Sequence, residues 1–204
     1  GPILTEMPVT VGNSRTFFKG ISASSLAEVM ETSQRGLLDY SLLGGAQIDM
    51  YGNLNTTFIG DDHDRPSVRL PGSGGANDLA STSWRFITIM RHQKRRFRKK
   101  MDFLTTPGYL TGKGAREKIG LPPGGGPYKV VTNLAVLGFE EETKRMQVET
   151  FHPGVTKEEI IAETGFELLW SPQITESTPP TEEELHILRT EVDPDRYLLD
   201  RDFS

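Results

Sequence analysis

Leu70-Pro71-Gly72-Ser73-Gly74-Gly75-Ala76-Asn77-Asp78 sets three glycines in four positions between two apolar runs, and both the fold and the site turn on it. Glycine occurs where the backbone must take a positive φ or where another group must approach the main chain; three together leave amide N–H groups free to face a ligand. The stretch lacks the Lys-Ser/Thr ending of a P-loop, so by itself it also reads as a tight surface turn. A second glycine loop lies upstream, Gly44-Gly45-Ala46-Gln47-Ile48-Asp49, followed by Tyr51-Gly52-Asn53-Leu54-Asn55. The pair is far more specific than either loop alone.

Working outward, Asn77 to Trp84 suits a short helix whose N-terminus opens at the glycine loop, with unpaired N–H groups and a positive dipole end facing whatever binds there. Upstream, Ser22 to Tyr40 has helical periodicity in Leu26, Val29, Met30, Leu37 and Leu38, with serines at 22, 24 and 25 as cap candidates and Gly36 loosening the end. Tyr40 to Leu43 is a short strand running into the first glycine loop, the strand-to-loop arrangement that open α/β sheets use for ligands. Asn53 to Phe58 alternates polar and apolar residues as a strand would. Phe86 to Met90 is continuous and β-branched, as in a buried strand. Tyr128 to Thr132, Ala135 to Phe139 and Met146 to Phe151 also read as strands, with Glu140 to Lys144 as a hairpin tip. The glycines and prolines between Gly112 and Pro127 predict a long loop. Thr156 with Glu159, and Thr181 with Glu184, are capping boxes.

Composition narrows the function classes. The chain has 204 residues, enough for one domain with a buried sheet. Its net charge of −5 is mild and gives no global argument for nucleic acid or an anionic membrane. There are no cysteines, which removes disulfides, thiolate nucleophiles and cysteine metal sites and fits a reducing cytoplasm. No apolar run reaches the ~20 residues of a membrane span.

Several residues invite chemistry. Asp61-Asp62-His63-Asp64 resembles a metal cluster, but four consecutive loop side chains diverge, so solvated turn chemistry is expected and no metal. Arg91 to Lys100 carries seven Lys or Arg residues in ten; alone it invites a nucleic-acid partner, but the chain is acidic overall and only Phe97 offers a stacking ring within the run, so it reads as a solvated edge or a subunit contact, with help to an anionic ligand tail as the alternative. His152 has no neighbour suggesting a catalytic dyad. The amide of Gln47 can donate and accept, as a turn residue or as a partner for an acyl or carboxylate oxygen.

The segments GGAQID, YGNLNTT, RLPGSGGANDLAS, HQKRRF and DFLTTPGYLTG, with GAREKIGLP, VVTN, EETKRM and TGFEL further on, resemble the β subunit of family I coenzyme A transferases, in the glutaconate CoA-transferase branch. The similarity runs from about Pro8 to Pro194. It implies an α/β fold, an open mixed sheet flanked by helices, over a single domain 1–204 that lacks the N-terminal helix and strand of the family. It also implies a cytoplasmic enzyme that pairs with a related α subunit, in a heterodimer or a higher oligomer, and takes coenzyme A as substrate without a permanently bound cofactor. The family moves CoA between an acyl-CoA and a carboxylic acid through a glutamyl-CoA thioester, and the matching glutamate would lie about five residues before Gly1. Glu6 matches a glutamate downstream of it. On this resemblance the backbones of Gly74 and Gly75 are the oxyanion donors and Gln47 assists them. Gly45, Gly72, Ser73 and Asn77 bind acyl-CoA, and Arg15, Arg65 and Arg69 are candidates for a second substrate carboxylate. Relatives on the same fold act as ring-opening hydrolases or decarboxylases, and a scaffold subunit is a further alternative.

Overall fold

The computed structural model describes Phe17, Gly20 and residues 22–196. Residues 29–178 form one compact unit, and the described residues on either side of it belong to a second. In chain order the elements are α1 (Leu26–Gln34), β1 (Tyr40–Leu43), β2 (Gln47–Ile48), β3 (Leu54–Asn55), β4 (Phe58–Ile59), β5 (Val68–Arg69), α2 (Ala76–Thr82), β6 (Arg85–Ile89), α3 (Ala115–Lys118), β7 (Gly126–Val131), β8 (Ala135–Phe139), β9 (Met146–Phe151), α4 (Lys157–Ala162), β10 (Leu169–Glu176) and α5 (Glu182–Ile187).

The sheet of the larger unit is mixed and six-stranded, in the order β1-β6-β7-β8-β9-β10. β1, β6 and β7 run parallel; β7, β8 and β9 form an antiparallel meander; β10 returns parallel to β9 through α4. This is the expected α/β architecture. Apolar residues on one face of these strands, Leu43, Phe86, Val130, Leu137 and Val148, join Ile48, Leu54, Ala80, Phe97 and Ile160 in one core cluster. Two small antiparallel ribbons, β2-β3 and β4-β5, carry the segment between the two glycine loops.

Local chemistry explains most element ends. Ser25 Oγ accepts from Glu28 N–H while Ser25 N–H donates to Glu28 Oε2, so α1 opens on a reciprocal cap. α1 is shorter than the expected Ser22 to Tyr40, and Gly36 at φ +72 turns the chain out of the helix. Both capping boxes are formed, at α4 and α5. The expected strand Asn53 to Phe58 is divided into β3 and β4, because Asn55 Oδ1 accepts from Thr57 N–H and bends the backbone between them. The segment expected as one loop from Gly112 to Pro127 contains α3, and β7 begins at Gly126. β10 carries Pro172 and a register shift between Trp170 and Thr175, which a terminal strand tolerates and which hides it in the sequence.

Candidate active site

The parallel strands place the site. After β1 the chain enters the Gly44 loop, after β6 the basic run, and after β7 the Thr132 turn, so three connections leave the same carboxyl edge of the sheet. A Cβ on Gly44 would lie 3.8 Å from the Ile89 carbonyl oxygen, so the β1 and β6 ends are side by side. α2 packs on β1, β6 and β7 and delivers the chain to the start of β6. Its N-terminus, with the second glycine loop, therefore points back to that carboxyl edge. Open α/β sheets bind ligands there.

Within the second loop, Gly72 and Gly74 take φ of +90 and +50, and both have open space where a Cβ would stand. Gly75 has φ −87 and lies against Met30, whose Cε would be 2.4 Å from an added Cβ. Ser73 closes the turn: its carbonyl accepts from Ala76 N–H (2.9 Å) and its Oγ from Asn77 N–H (3.2 Å). The Gly74 and Gly75 N–H groups have no acceptor among the described residues. Two consecutive free amides on a turn with little freedom are competent to hold a developing negative charge.

Thr105 joins this loop to the first. Its carbonyl accepts from Asn77 Nδ2 (2.8 Å), and its hydroxyl accepts from Thr56 N–H (2.9 Å) and pairs with the Thr57 hydroxyl (2.6 Å). Gly72 N–H donates to Thr56 O (2.8 Å) and Leu70 N–H to Thr57 O (3.0 Å). In the first loop, Ala46 N–H donates to Asn55 O, and a Cβ on Gly45 would stand 3.2 Å from Leu54 Cδ2, so the loop rests on β3. Gln47 is buried. Its Oε1 accepts from Asn55 Nδ2 (2.8 Å) and Asp102 N–H (3.0 Å), and its Nε2 donates to Asp102 Oδ2 (2.9 Å). Both acceptor sites of the side chain expected to donate and accept at a substrate are thus filled, and among the described residues one Nε2 hydrogen is without an acceptor. Gly45 and Gln47 lie on one loop and Gly72 to Asn77 on the other, with the polar network of Asn55, Thr57 and Thr105 between them. Glu6 and Arg15 lie outside the described residues; Arg69 donates to His63 O at the exposed β4-β5 hairpin.

Sequence reasoning missed three supports. Arg116 is buried at 1% exposure, and its guanidinium donates to Pro107 O, Gly108 O and Ala80 O at 2.8–3.0 Å, pinning the Thr105 segment to α2. Burial lowers its pKa from the ordinary arginine value. Gly108 crosses Gly52 backbone on backbone, with 2.3 Å between a hypothetical Cβ and the Gly52 carbonyl carbon. Asp49 caps the same turn, accepting from Tyr51 N–H, Asn53 N–H and Asn53 Nδ2; burial raises its pKa against those bonds. The signals were present as an arginine in a glycine-rich stretch and an Asp-x-x-x-Asn spacing, but neither has a periodicity.

The basic run divides by face. His92 and Phe97 are buried and stacked, with ring centroids 3.9 Å apart. Thr164 Oγ1 gives its proton to Ile160 O, so His92 Nε2 donates to Thr164 Oγ1 (2.9 Å) in the neutral ring. Desolvation lowers the His92 pKa to about 4. His152 also serves the framework, through Thr132 O (2.9 Å) and Ser177 Oγ (2.8 Å).

An α/β sheet whose carboxyl edge carries two cross-braced glycine loops, one with amides that have no acceptor among the described residues, has the geometry of a ligand-binding edge. Similarity to known proteins makes it specific. The family model for coenzyme A transferase matches residues 7–163. Over 154 residues the chain is 45% identical to the β subunit of glutaconate CoA-transferase from Acidaminococcus fermentans, covering 76% of this chain and 57% of that protein. It is 36% identical over 186 residues to the β subunit of 3-oxoadipate CoA-transferase from Pseudomonas knackmussii, covering 91% of this chain and 71% of that one. The crystal structure of glutaconate coenzyme A-transferase from Acidaminococcus fermentans superposes with a TM-score of 0.90 at 36% identity, over 98% of this chain and 77% of that one. The chain belongs to the coenzyme A transferase family, as a chain of the β-subunit type. It spans little more than half the length of the glutaconate relative. Among the described residues no helix is long and apolar enough to cross a membrane.

Proposed function

We propose that this chain is the β-type subunit of an acyl-CoA:carboxylate CoA-transferase and that the Gly74 and Gly75 amides stabilise the oxyanions of its reaction. The observation carrying this reading is the pair of unpartnered N–H groups held at the sheet's carboxyl edge. A related α subunit would complete the site, and the branch resemblance favours a dicarboxylic acyl group.

The reaction is a double displacement. A glutamate carboxylate, which the family resemblance puts ahead of Gly1, attacks the thioester carbonyl. The carbonyl π electrons move to oxygen, and collapse of that oxyanion expels CoA thiolate and leaves a mixed anhydride. The thiolate then attacks the glutamyl carbonyl of the anhydride, giving a glutamyl-CoA thioester and releasing the donor carboxylate. The acceptor acid runs the two steps backwards. Each addition creates a tetrahedral oxyanion. A carboxylate is a weak nucleophile toward a thioester, so positioning and oxyanion stabilisation must supply the acceleration. Amides already fixed in the loop do this without reorganising, and one such donor is worth a factor of ~100 or more in rate. Thr105 and Asn77 hold the loop; Gln47 and Asn55 hold its neighbour.

Intact mass spectrometry of the native complex tests this. After brief exposure to acyl-CoA, a polypeptide should gain the mass of CoA less one water. Release of free CoA and acid with no adduct would replace transfer by hydrolysis.

A further inference from the structure

The outward face of the basic run borders a cavity of about 340 Å3 that backs onto the first glycine loop at Ala46 and Gln47. Arg95, Arg96 and Arg98 line it, with Asp102 as its acid and Ile59 and Val68 as an apolar wall. Among the described residues none of the three arginines has a carboxylate within ion-pair distance. Asp102 is ion-paired with none of them; its Oδ2 accepts from Gln47 Nε2 and the Gly60 N–H (3.1 Å), and its single charge offsets one of the three cations, leaving the lining net positive.

These cations are held in place. Gln93 Oε1 accepts from both Arg95 Nε (3.0 Å) and Arg96 Nε (3.1 Å), which orients two guanidinium groups, and among the described residues the Arg95 Nη groups have no hydrogen-bond partner. Arg96 Nη1 makes a long bond to Gly45 O (3.4 Å), and the run itself is stitched to β2 through Ile48 N–H to Arg96 O and Arg98 N–H to Ile48 O, each 2.8 Å. Converging like charges raise each other's energy. Burial and the neighbouring Arg95 and Arg91 charges lower the Arg96 pKa. An anion relieves that repulsion, and guanidinium forks match phosphoryl oxygens bidentately. The cavity also exceeds a lone phosphate, and its apolar wall suits a ring.

We propose that this cavity binds the phosphoryl group of a nucleotide, with Arg95, Arg96 and Arg98 as its ligands. CoA carries such groups at its 3′ and 5′ positions, and free nucleotides carry them too. Only the choice of CoA rests on the transferase reading.

Calorimetric titration of the full chain with adenosine 3′,5′-bisphosphate should show binding that adenosine lacks. The Arg96→Gln, Arg98→Gln double variant should weaken it at least tenfold. Lys94→Gln, an exposed charge in the same run but off the cavity, should leave it unchanged. Gln93→Ala, which frees two guanidinia without removing charge, should weaken it severalfold and provides a second variant should the double one misfold. A matching loss for CoA assigns CoA as the source. CoA binding that survives while the bisphosphate is lost assigns a free nucleotide and overturns the CoA assignment. No bisphosphate binding, or equal binding by folded double variant and parent, overturns the site. None of these titrations needs the catalytic glutamate, so a missing covalent adduct would leave the phosphoryl site standing.

Discussion

Gly74 sits at φ +50 with nothing within 4 Å of a would-be Cβ, so alanine fits there sterically but not conformationally. The substitution should cost about 1 kcal/mol of stability. On the proposed oxyanion role, relaxing the turn would move the two amides out of position, so kcat should fall about a hundredfold with KM nearly unchanged. Steady-state kinetics beside an unfolding curve would check both halves. Residue identity was the most legible level of the site: the positive φ of Gly72 and Gly74 follows from the glycine spacing. The commitment of Gln47 to Asn55 and Asp102 was not legible, because its partners come from β3 and from a turn distant in sequence.

Among the elements, capped helices and the β8-β9 hairpin could be read directly, since capping boxes and turn residues act within a few positions of each other. α3 could not. Its four residues have too short a pattern, and its reason to exist is tertiary: it delivers Arg116 to carbonyls on the Thr105 segment and on α2. Arg116→Lys should therefore lower unfolding stability by about 2–3 kcal/mol in urea titration, because one ammonium cannot reach three carbonyls and leaves buried acceptors unpaired. An unchanged midpoint would show that the guanidinium does not brace the loops.

Across the molecule, the mixed sheet was legible from its strand runs together with the family resemblance, whereas β10 and the polar network beneath the site depend on long-range pairing. The buried His92 gives the molecule a pH dependence. Its folded-state pKa of about 4 lies below the ordinary histidine value of 6.5, so on acidification the unfolded chain takes up a proton that the folded chain refuses. Its stabilising contribution is full above about pH 6.5 and lost progressively below it, by about 2 kcal/mol between pH 7 and pH 5. His92→Gln should remove that part of the pH dependence, seen as a smaller difference between urea midpoints at the two pH values. The backbone crossing of Gly52 and Gly108 bears on how such a protein can diversify. With no room for even a methyl group at the crossing, those positions are closed to gradual change, and the loops braced by Thr105 inherit the restriction. The exposed tip between β4 and β5 lies outside that brace, so insertions and side-chain variation can collect there and reshape the rim while the second glycine loop keeps its form.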